Sequence, residues 1–346
     1  MTVLPRVRIG NTWVGPGEPC FMVAEIGACF RDIETGQALI RRAAQAGANA
    51  VKAQTFRAET LVVNGAYFTL EDGSRLSQYE YFKPYELSIE THRILAATAK
   101  DLGILFFSTP SHQDDVELLE SLHVPVYKIG SDDLTNLPLL DDVARKGKPV
   151  IISTGMSDLG EVEQALATSK NAGNEAVILL HCVVGYPARI EEANLRAIRT
   201  LQNVFGVPVG FSDHLRSHVP DVAAVALGAS MIEKHFVLDR SPGGPDYDVA
   251  CTPDEFAAMV QAVREAERAL GDGVKTIQPG EQKWREAARK SLIAAKDVEA
   301  GQVLSPQDLD VRRPASGIPP SRYFEILGRR PRCRINKGTV LQWDLL

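Results

Sequence analysis

The chain has 346 residues, 45% hydrophobic and 24% charged, a composition typical of a globular protein that holds a large barrel and a further small domain. The formal net charge of −6 argues against non-specific nucleic-acid binding, which needs a basic face. The five cysteines are scattered without a CxxC spacing, which favours reduced thiols over a disulfide framework. The first ten residues lack a signal-peptide core, and no apolar run reaches the length of a membrane span. We therefore expect a cytoplasmic protein without membrane or nucleic-acid partners.

From residue 20 to about residue 270, the sequence repeats a short β-rich run, a polar turn and an amphipathic helix. The predicted strands are 21–26, 50–54, 105–108, 126–129, 150–153, 177–181, 209–212 and 231–235, and helices such as 37–46, 91–102, 116–122, 159–172 and 253–270 follow them. Eight such units predict a (β/α)₈ TIM barrel, whose floor a hairpin at residues 6–14 would close. A doubly wound open sheet is the alternative, but no G-x-G-x-x-G sequence follows the first strand.

The pattern changes after residue 270, where a polar stretch containing glycine and proline predicts a linker. Short β-like runs at 291–295, 303–304 and 335–346 follow it. We predict a barrel over 1–275, a linker over 276–288 and a small β-rich domain over 289–346. A domain of this size is near the lower limit for an independent core, so we expect it to dock on another surface.

Two histidines, His214 and His235, each stand at the end of a predicted strand, with one helical segment between them. Consecutive parallel strands lie side by side, so both imidazoles should emerge at the same carboxyl-terminal rim. Such a pair suits a divalent ion such as Mn²⁺, Fe²⁺, Co²⁺ or Zn²⁺. The alternative is one polar strand-end histidine and one histidine satisfied in the core.

The other predicted strands also end in polar residues, where a barrel carries its chemistry. These residues are Glu25, Lys52, Gln54, Thr109, Lys128, Ser131, Ser153, His181, Tyr186, Ser212, Glu233 and Lys234. Two lysines with several hydroxyls and a glycine turn can hold a phosphate and a carboxylate. Taken singly, such a lysine can equally be a solvated cap, whereas a buried acid such as Glu25 is costly unless it is partnered.

These sequences resemble the sialic acid synthase family, which includes N-acetylneuraminate synthase and its legionaminic, pseudaminic and spore-coat relatives. The resemblance spans nearly the whole chain. It rests on Ala24-Glu25-Ile26-Gly27, Val51-Lys52-Ala53-Gln54-Thr55, Phe107-Ser108-Thr109-Pro110, Lys128-Ile129-Gly130-Ser131, Ile152-Ser153-Thr154-Gly155-Met156, His181-Cys182, Tyr186-Pro187, Gly210-Phe211-Ser212-Asp213-His214, Glu233-Lys234-His235-Phe236 and Gly244-Pro245-Asp246. The C-terminal part resembles the antifreeze-like (SAF) domain through Arg313-Pro314, Gly317-Ile318 and Ile326-Leu327-Gly328-Arg329.

The resemblance implies a transferase that condenses phosphoenolpyruvate (PEP) with the open-chain aldehyde of an N-acyl hexosamine or a related aldose. The products would be phosphate and a nonulosonic 3-deoxy-2-keto sugar acid. The implied cofactor is Mn²⁺, with Mg²⁺ or Co²⁺ as alternatives, held by His214 and His235. The resemblance implies that PEP is bound by Lys52, Lys128, Ser131, Ser153 and Ser212, with Gln54, Thr109 and Glu233 nearby. Glu25 would contact the sugar and the water at the metal. Tyr186 and Asp246 would contact the sugar. Arg313 would contact the N-acyl group in the barrel of the partner subunit of a domain-swapped homodimer.

The sequence departs from the family pattern mostly near the expected acceptor side. The turn Ala28-Cys29-Phe30-Arg31-Asp32 replaces an Asn-His-Asn-Gly-like turn, Asp133 replaces a glutamate, Val184 replaces a polar residue, and Tyr247 follows Asp246 where the family has histidine. We therefore expect the PEP and metal residues to be retained and the acceptor to differ from N-acetylmannosamine. Two alternatives are a Schiff-base aldolase on a phosphosugar, using Lys52 or Lys128, and a catalytically inactive sugar-binding homologue.

Overall fold

The structure is a computed structural model that describes residues 4–69, 73–244 and 246–346. The chain divides into two compact units, Met1–Gly271 and Asp272–Leu346. Among the described residues, no helix combines the length and the apolar character needed to span a bilayer.

The first unit is a closed barrel of eight parallel strands. They are β1 (Phe21–Glu25), β2 (Ala50–Thr55), β3 (Leu105–Pro110), β4 (Tyr127–Ile129), β5 (Val150–Ser153), β6 (Val177–Cys182), β7 (Val209–Asp213) and β8 (Met231–His235). Each strand pairs with its neighbour in sequence, and β8 closes the ring by pairing with β1 in the register His235 to Glu25. The predicted (β/α)₈ barrel is confirmed, and the alternative open sheet is excluded.

Eight helices cover the outside of the barrel. They are α1 (Ile33–Gln45), α2 (Ile89–Asp101), α3 (Gln113–Ser121), α4 (Leu137–Arg145), α5 (Leu159–Asn171), α6 (Ala197–Phe205), α7 (Val219–Ala226) and α8 (Pro253–Leu270). Polar N-caps fix several of their starts; for example, the side chain of Asp158 accepts a hydrogen bond from the Glu161 N–H in a capping box. These caps define the residue at which each of those helices begins after the preceding strand.

Side chains along each barrel strand alternate between the barrel interior and the helix layer. The interior cluster contains Phe21, Val23, Phe107, Ile151, Ile178, Leu180 and Met231, together with Val7, Ile9 and Val14 of the N-terminal hairpin. This hairpin pairs Val7–Ile9 with Thr12–Val14, as the sequence predicted. Continuing the alternation past the apolar interior places Glu25, Lys52, Lys128 and Glu233 inward, at the carboxyl ends of their strands.

The connection from β2 to α2 is the longest in the barrel and has its own secondary structure. It contains a short helix (Ala58–Leu61), a hairpin of Tyr67–Thr69 with Arg75–Ser77, a second helix (Gln78–Phe82) and a 3₁₀ turn (Lys83–Tyr85). Its aromatic rings pack edge to face on one another, so the segment has a small apolar core of its own.

The second unit has its own core, which includes Leu292, Leu304, Ile318, Ile326 and Leu341. Two antiparallel strands, β9 (Ser291–Ala294) and β10 (Leu309–Arg312), form its small sheet. A helix at Gln282–Ala288 lies within the segment that we expected as the linker. The predicted strand at 303–304 and the predicted C-terminal strand are absent from the described residues; the tail contributes single β-bridges at Ile335 and Val340 instead.

Candidate active site

A cavity of about 860 Å³ opens at the carboxyl ends of the barrel strands, within the size range of small-molecule sites. Twelve of the fourteen predicted site residues line it: Lys52, Gln54, Thr109, Lys128, Ser131, Ser153, Tyr186, Ser212, His214, Glu233, His235 and Asp246. The structure thus brings together side chains from seven of the eight strands or the turns that follow them.

The inner end of the cavity is a buried network of charges around Lys52. Its ammonium group forms an ion pair with Glu25 and donates a hydrogen bond of 3.2 Å to the Thr109 hydroxyl. Burial opposes the charge of Lys52, but Glu233, at 3.8 Å, and Glu25 outweigh it and raise the pKa of the lysine. Lys52 is therefore a fixed cation with donors that can turn to a bound anion.

Lys128 is the second buried cation of this inner end. It donates to the Ser153 hydroxyl at 2.7 Å and lies 3.9 Å from Oε1 of Glu233. Burial lowers the pKa of Lys128, and Glu233 opposes that effect. Glu233 lies within 4 Å of both lysines, so its carboxylate is shared between the two ammonium groups, and the Ser212 hydroxyl donates to it at 3.0 Å.

Glu25 ends β1 and is buried beside the lining residue Lys52, with which it forms an ion pair. Its Oε1 accepts a hydrogen bond of 2.5 Å from the Gly27 N–H. Burial, reinforced by Glu233 and opposed by Lys52, raises the pKa of Glu25. A Cβ atom on Gly27 would lie 2.4 Å from both Glu25 Oε1 and Gln54 Cγ, so this turn has room only for glycine.

His214 and His235 lie side by side on the rim, with their ring centroids 5.3 Å apart. Burial lowers the pKa of both imidazoles, most strongly that of His235, which keeps them in the neutral form that binds metals. The His214 Nδ1 lies 3.0 Å from the Val183 carbonyl, so it donates there and leaves Nε2 as the free acceptor. Among the described residues, the buried Nδ1 of His235 has no hydrogen-bond partner.

The two neutral imidazoles of His214 and His235 can supply two of the ligands of a divalent ion. Across the described part of the chain, no group of three or more histidine, cysteine or acidic side chains is arranged to hold a metal. An acid lies close to the pair: Oδ2 of Asp246 is 3.5 Å from His235 Nδ1. Substrate and water oxygens would therefore have to supply the remaining positions around an ion.

Tyr186 and Asp246 line the cavity next to the histidine pair. The Tyr186 ring is 4.4 Å from the His214 ring and 5.9 Å from the His235 ring, and about half of its side chain is exposed. Burial, with a further contribution from Glu25, raises the pKa of Asp246 to about 7. Both residues are placed where they can contact a substrate that reaches the histidine pair.

Three residues at predicted strand ends or in predicted contacts lie elsewhere. His181 faces the helix layer and hydrogen-bonds the Ala193 carbonyl at 2.8 Å. Lys234 also faces the helix layer, where its fully buried ammonium group pairs with Asp213. Arg313 belongs to the second unit, and its expected contact with the sugar of a partner subunit stays a prediction.

The sequence reasoning did not find Asp213 and Asp221 as part of the site's support. Asp221 of α7 is completely buried beside Asp213. Burial, together with the nearby Asp213, raises the pKa of Asp221 well above its usual value. Strict alternation from the inward-facing His214 and His235 would have placed both Asp213 and Lys234 on the outer face.

Two of the departures from the family pattern contact each other, and a third contacts the connection between β2 and α2. The Tyr247 hydroxyl donates to the Cys29 carbonyl at 2.9 Å, which links the turn after β8 to the turn after β1. Arg31 donates to the Tyr85 hydroxyl at 2.8 Å and lies over its ring. The cavity lining includes Asp132 and Val184 but not Asp133, whose carboxylate accepts a bond from Asn136.

Comparisons with known proteins agree with this architecture. The NeuB family profile matches residues 39–275, and the SAF domain profile matches residues 289–346. The N,N'-diacetyllegionaminic acid synthase of Legionella pneumophila is 40% identical over 95% of each chain, and the N-acetylneuraminate-9-phosphate synthase of Mus musculus is 35% identical over 92% of this chain and 90% of its own. The crystal structure of the N-acetylneuraminic acid synthetase of Leptospira borgpetersenii, in complex with citrate, superposes with a TM-score of 0.75 at 32% identity. The superposition covers 81% of this chain and 95% of the Leptospira chain.

Proposed function

The chain belongs to the NeuB family, and from that premise we propose that it condenses PEP with the open-chain aldehyde of an aldose to give a sialic-acid-like 3-deoxy-2-keto sugar acid and phosphate. Relatives that it matches over nearly their whole length are named as synthases of legionaminic, pseudaminic and N-acetylneuraminic acids or their phosphates. The chain is accordingly a carbon–carbon bond-forming enzyme of the synthase type. The observation that carries the proposal is the pair of buried lysines around Glu233, which line the same cavity as the two histidines.

The inner end of the cavity supports binding of a multiply charged anion. Lys52 and Lys128 supply two cations, and the hydroxyls of Thr109 and Ser153 lie within hydrogen-bond distance of them. The Ser131 hydroxyl accepts from the Gly155 N–H at 3.0 Å and lines the same cavity, where it adds a hydroxyl donor for the anion. A phosphate and a carboxylate on one small molecule match this set of donors, and their binding orients the enol carbon toward the histidine pair.

The reaction then joins C3 of PEP to the aldehyde carbon, and the aldehyde oxygen takes up a proton. The electron-deficient C2 is captured by water, and the bond from C2 to the phosphate oxygen breaks. We assign to Glu25 the removal of the proton from that water, because its raised pKa makes its ionised form a stronger base than an ordinary carboxylate. PEP carrying ¹⁸O at the bridging position tests the cleavage mode, since label in the sugar acid product contradicts it and label in phosphate supports it.

A divalent ion fits the neutral pair His214 and His235, and the proposal includes Mn²⁺, Mg²⁺ or Co²⁺ in that place. When bound, such an ion supplies a Lewis acid that polarises a carbonyl and offsets developing negative charge. The histidines come from adjacent strands, so the protein fixes their separation before any substrate arrives.

Phosphate release from PEP with a panel of N-acyl hexosamines and simpler aldoses tests the proposed function. We expect release that depends on the acceptor, is lost in EDTA and returns with Mn²⁺. Absence of release with every acceptor, from protein shown by circular dichroism to be folded and by metal analysis to be loaded, contradicts the proposal.

One observation favours a second candidate, a Schiff-base aldolase. Burial lowers the pKa of Lys128, as in lysines that form imines with carbonyl substrates. Borohydride reduction in the presence of an aldose phosphate separates the two functions. Covalent trapping that persists in EDTA supports the aldolase, whereas acceptor-dependent phosphate release from PEP without trapping supports the synthase.

A further inference from the structure

The connection between β2 and α2, residues 56–88, forms one side of the cavity. Among its described residues, Phe56, Phe68, Gln78 and Phe82 belong to the cavity lining. The rings of Phe56 and Phe68 each pack edge to face on the ring of Phe82. These contacts hold parts of the connection to one another. Its position over the cavity therefore also depends on the two points at which it leaves β2 and enters α2.

A buried chain of hydrogen bonds joins these two points. The hydroxyl of Thr55, the last residue of β2, lies 2.8 Å from Nε2 of His92 in α2 and 2.6 Å from the hydroxyl of Ser108 in β3. All three side chains are buried. His92 Nδ1 lies 2.9 Å from the carbonyl of Ser88, the residue that caps α2. The residue before the connection and the residue that ends it are thus joined through one imidazole.

The hydrogen bonds of this chain run in one direction. A carbonyl oxygen can only accept, so His92 Nδ1 donates to Ser88, and burial lowers the pKa of His92, which favours the neutral ring. Nε2 then accepts from the Thr55 hydroxyl, which in turn accepts from the Ser108 hydroxyl. Because Thr55 is both donor and acceptor, loss of its hydroxyl breaks the chain in the middle.

The chain lies directly behind two residues of the cavity. Gln54 precedes Thr55, Thr109 follows Ser108, and both Gln54 and Thr109 line the cavity, where they are paired across β2 and β3. Side chains alternate along a strand, so Thr55 and Ser108 face the helix layer. The bond to His92 therefore fixes the start of α2, and with it the end of the connection, on the two strands that carry Gln54 and Thr109.

We infer that His92 and Thr55 are positioning residues, which hold the connection over the cavity in the place that the second substrate requires. Neither residue belongs to the described cavity lining, so both act through the connection and not by touching a substrate. The kinetic part of this inference rests on the proposed function, because it concerns the same cavity.

Thr55→Val tests the inference, because it removes the hydroxyl and keeps the branched shape, while Thr55→Ser keeps the hydroxyl. Thr98→Val is the matched control in α2. The Thr98 hydroxyl donates to the Ile94 carbonyl at 2.8 Å and accepts from Gln37 at 3.0 Å, so the same substitution there also removes two hydrogen bonds. His92→Leu breaks the bond to Thr55 from the other side and serves as a second, independent variant.

Hydrogen–deuterium exchange of the full chain, followed by mass spectrometry, measures how firmly the connection is held. We expect Thr55→Val and His92→Leu to exchange about tenfold faster in peptides within 56–69 and 73–88 and at the wild-type rate in peptides from α5. Thr55→Ser and Thr98→Val should match the wild type in both regions. Unchanged exchange in the connection, or an equal rise in α5, overturns the inference.

Steady-state phosphate release, with the aldose of the panel above that gives the fastest rate, measures the consequence for the cavity. In Thr55→Val we expect kcat/KM for the aldose to fall at least about tenfold while the KM for PEP stays unchanged, and Thr55→Ser should restore it. An equal fall in Thr98→Val, or a change confined to the KM for PEP, overturns the positioning role. Absence of release from the wild type contradicts the proposed function, and the exchange rates then still decide whether the hydrogen-bond chain holds the connection.

Discussion

Replacement of Lys234 by methionine probes the support that lies behind the histidine pair. The Lys234 ammonium group is completely buried, pairs with Asp213 and also donates to the Leu215 carbonyl. Asp221 lies beside this pair, and burial together with Asp213 raises its pKa well above the usual value. Methionine keeps most of the side-chain volume and removes the cation that pairs with Asp213, so the perturbation is electrostatic rather than a cavity.

The expected cost follows from the burial of the pair. Removing one partner of a fully buried ion pair costs about 3–5 kcal/mol, since the other charge is left without compensation. With a denaturant slope of about 3 kcal/mol per molar urea, this corresponds to a midpoint that falls by about 1–1.7 M. An exposed ion pair contributes at most about 1 kcal/mol. Lys170 and Glu175, at 3.3 Å with side chains 73% and 74% exposed, form such a pair.

Urea unfolding followed by far-ultraviolet circular dichroism measures this difference, because all eight barrel helices lie in the first unit. We expect Lys234→Met to shift the midpoint strongly and Lys170→Met to leave it nearly unchanged. Adding Asp213→Leu to Lys234→Met removes both charges of the pair and should recover more than half of the loss, since the two substitutions are coupled. Equal midpoints for Lys234→Met and Lys170→Met, or a double variant that loses the sum of both effects, would refute the reasoning.

Three further substitutions test individual features of the cavity and its rim. Gly27→Ala places a methyl group against Glu25 and should lower kcat at least tenfold with little change in the KM for PEP, whereas a wild-type kcat would contradict the close packing. Ser153→Ala removes the 2.7 Å bond to Lys128, and we expect the KM for PEP to rise about tenfold; an unchanged KM argues against this binding role. Burial raises the pKa of Asp133 to about 6, so the stability it contributes is fully present below its unfolded pKa near 3.8 and is lost as pH rises through 6. Asp133→Asn should therefore gain stability relative to the wild type between pH 4 and pH 7 in thermal unfolding, and a constant difference across that range rejects the assignment.

Much of the inner site could be predicted from the sequence, because the carboxyl end of a barrel strand has a recognisable sequence pattern. An apolar run followed at once by a polar residue identifies Lys52, Lys128, Ser153 and the histidine pair, and parallel strands in a closed barrel bring such ends to one rim. The prediction did not need the strand bounds to be exact. A strand that runs one residue longer, as β7 does through Asp213, leaves the inward-facing set unchanged.

Two features could not be predicted in the same way. They are the side chains that the connection between β2 and α2 contributes to the cavity, and the buried Lys234–Asp213 ion pair. The connection between β2 and α2 has no periodicity that shows which of its aromatic side chains turn toward the cavity, since that is decided by how Phe56, Phe68 and Phe82 pack on one another. Lys234 was expected on the rim because it lies between two residues that are there. Because side chains alternate along a strand, Lys234 lies on the opposite face. Its buried ammonium group is compensated by an ion pair with Asp213, a residue on the neighbouring strand.

The two faces of β7 and β8 are therefore linked. Their inner faces carry His214 and His235, and their outer faces carry Asp213 and Lys234, one residue earlier on each strand. The outer ion pair joins the same two strands whose separation sets the 5.3 Å between the imidazole rings. A buried ion pair contributes little net stability compared with apolar packing, so its value here lies in fixing one register and one spacing. The variant that lacks both outer charges should accordingly fold well and still bind a divalent ion more weakly than the wild type, and unchanged metal affinity in that folded variant would show that the outer pair serves stability alone.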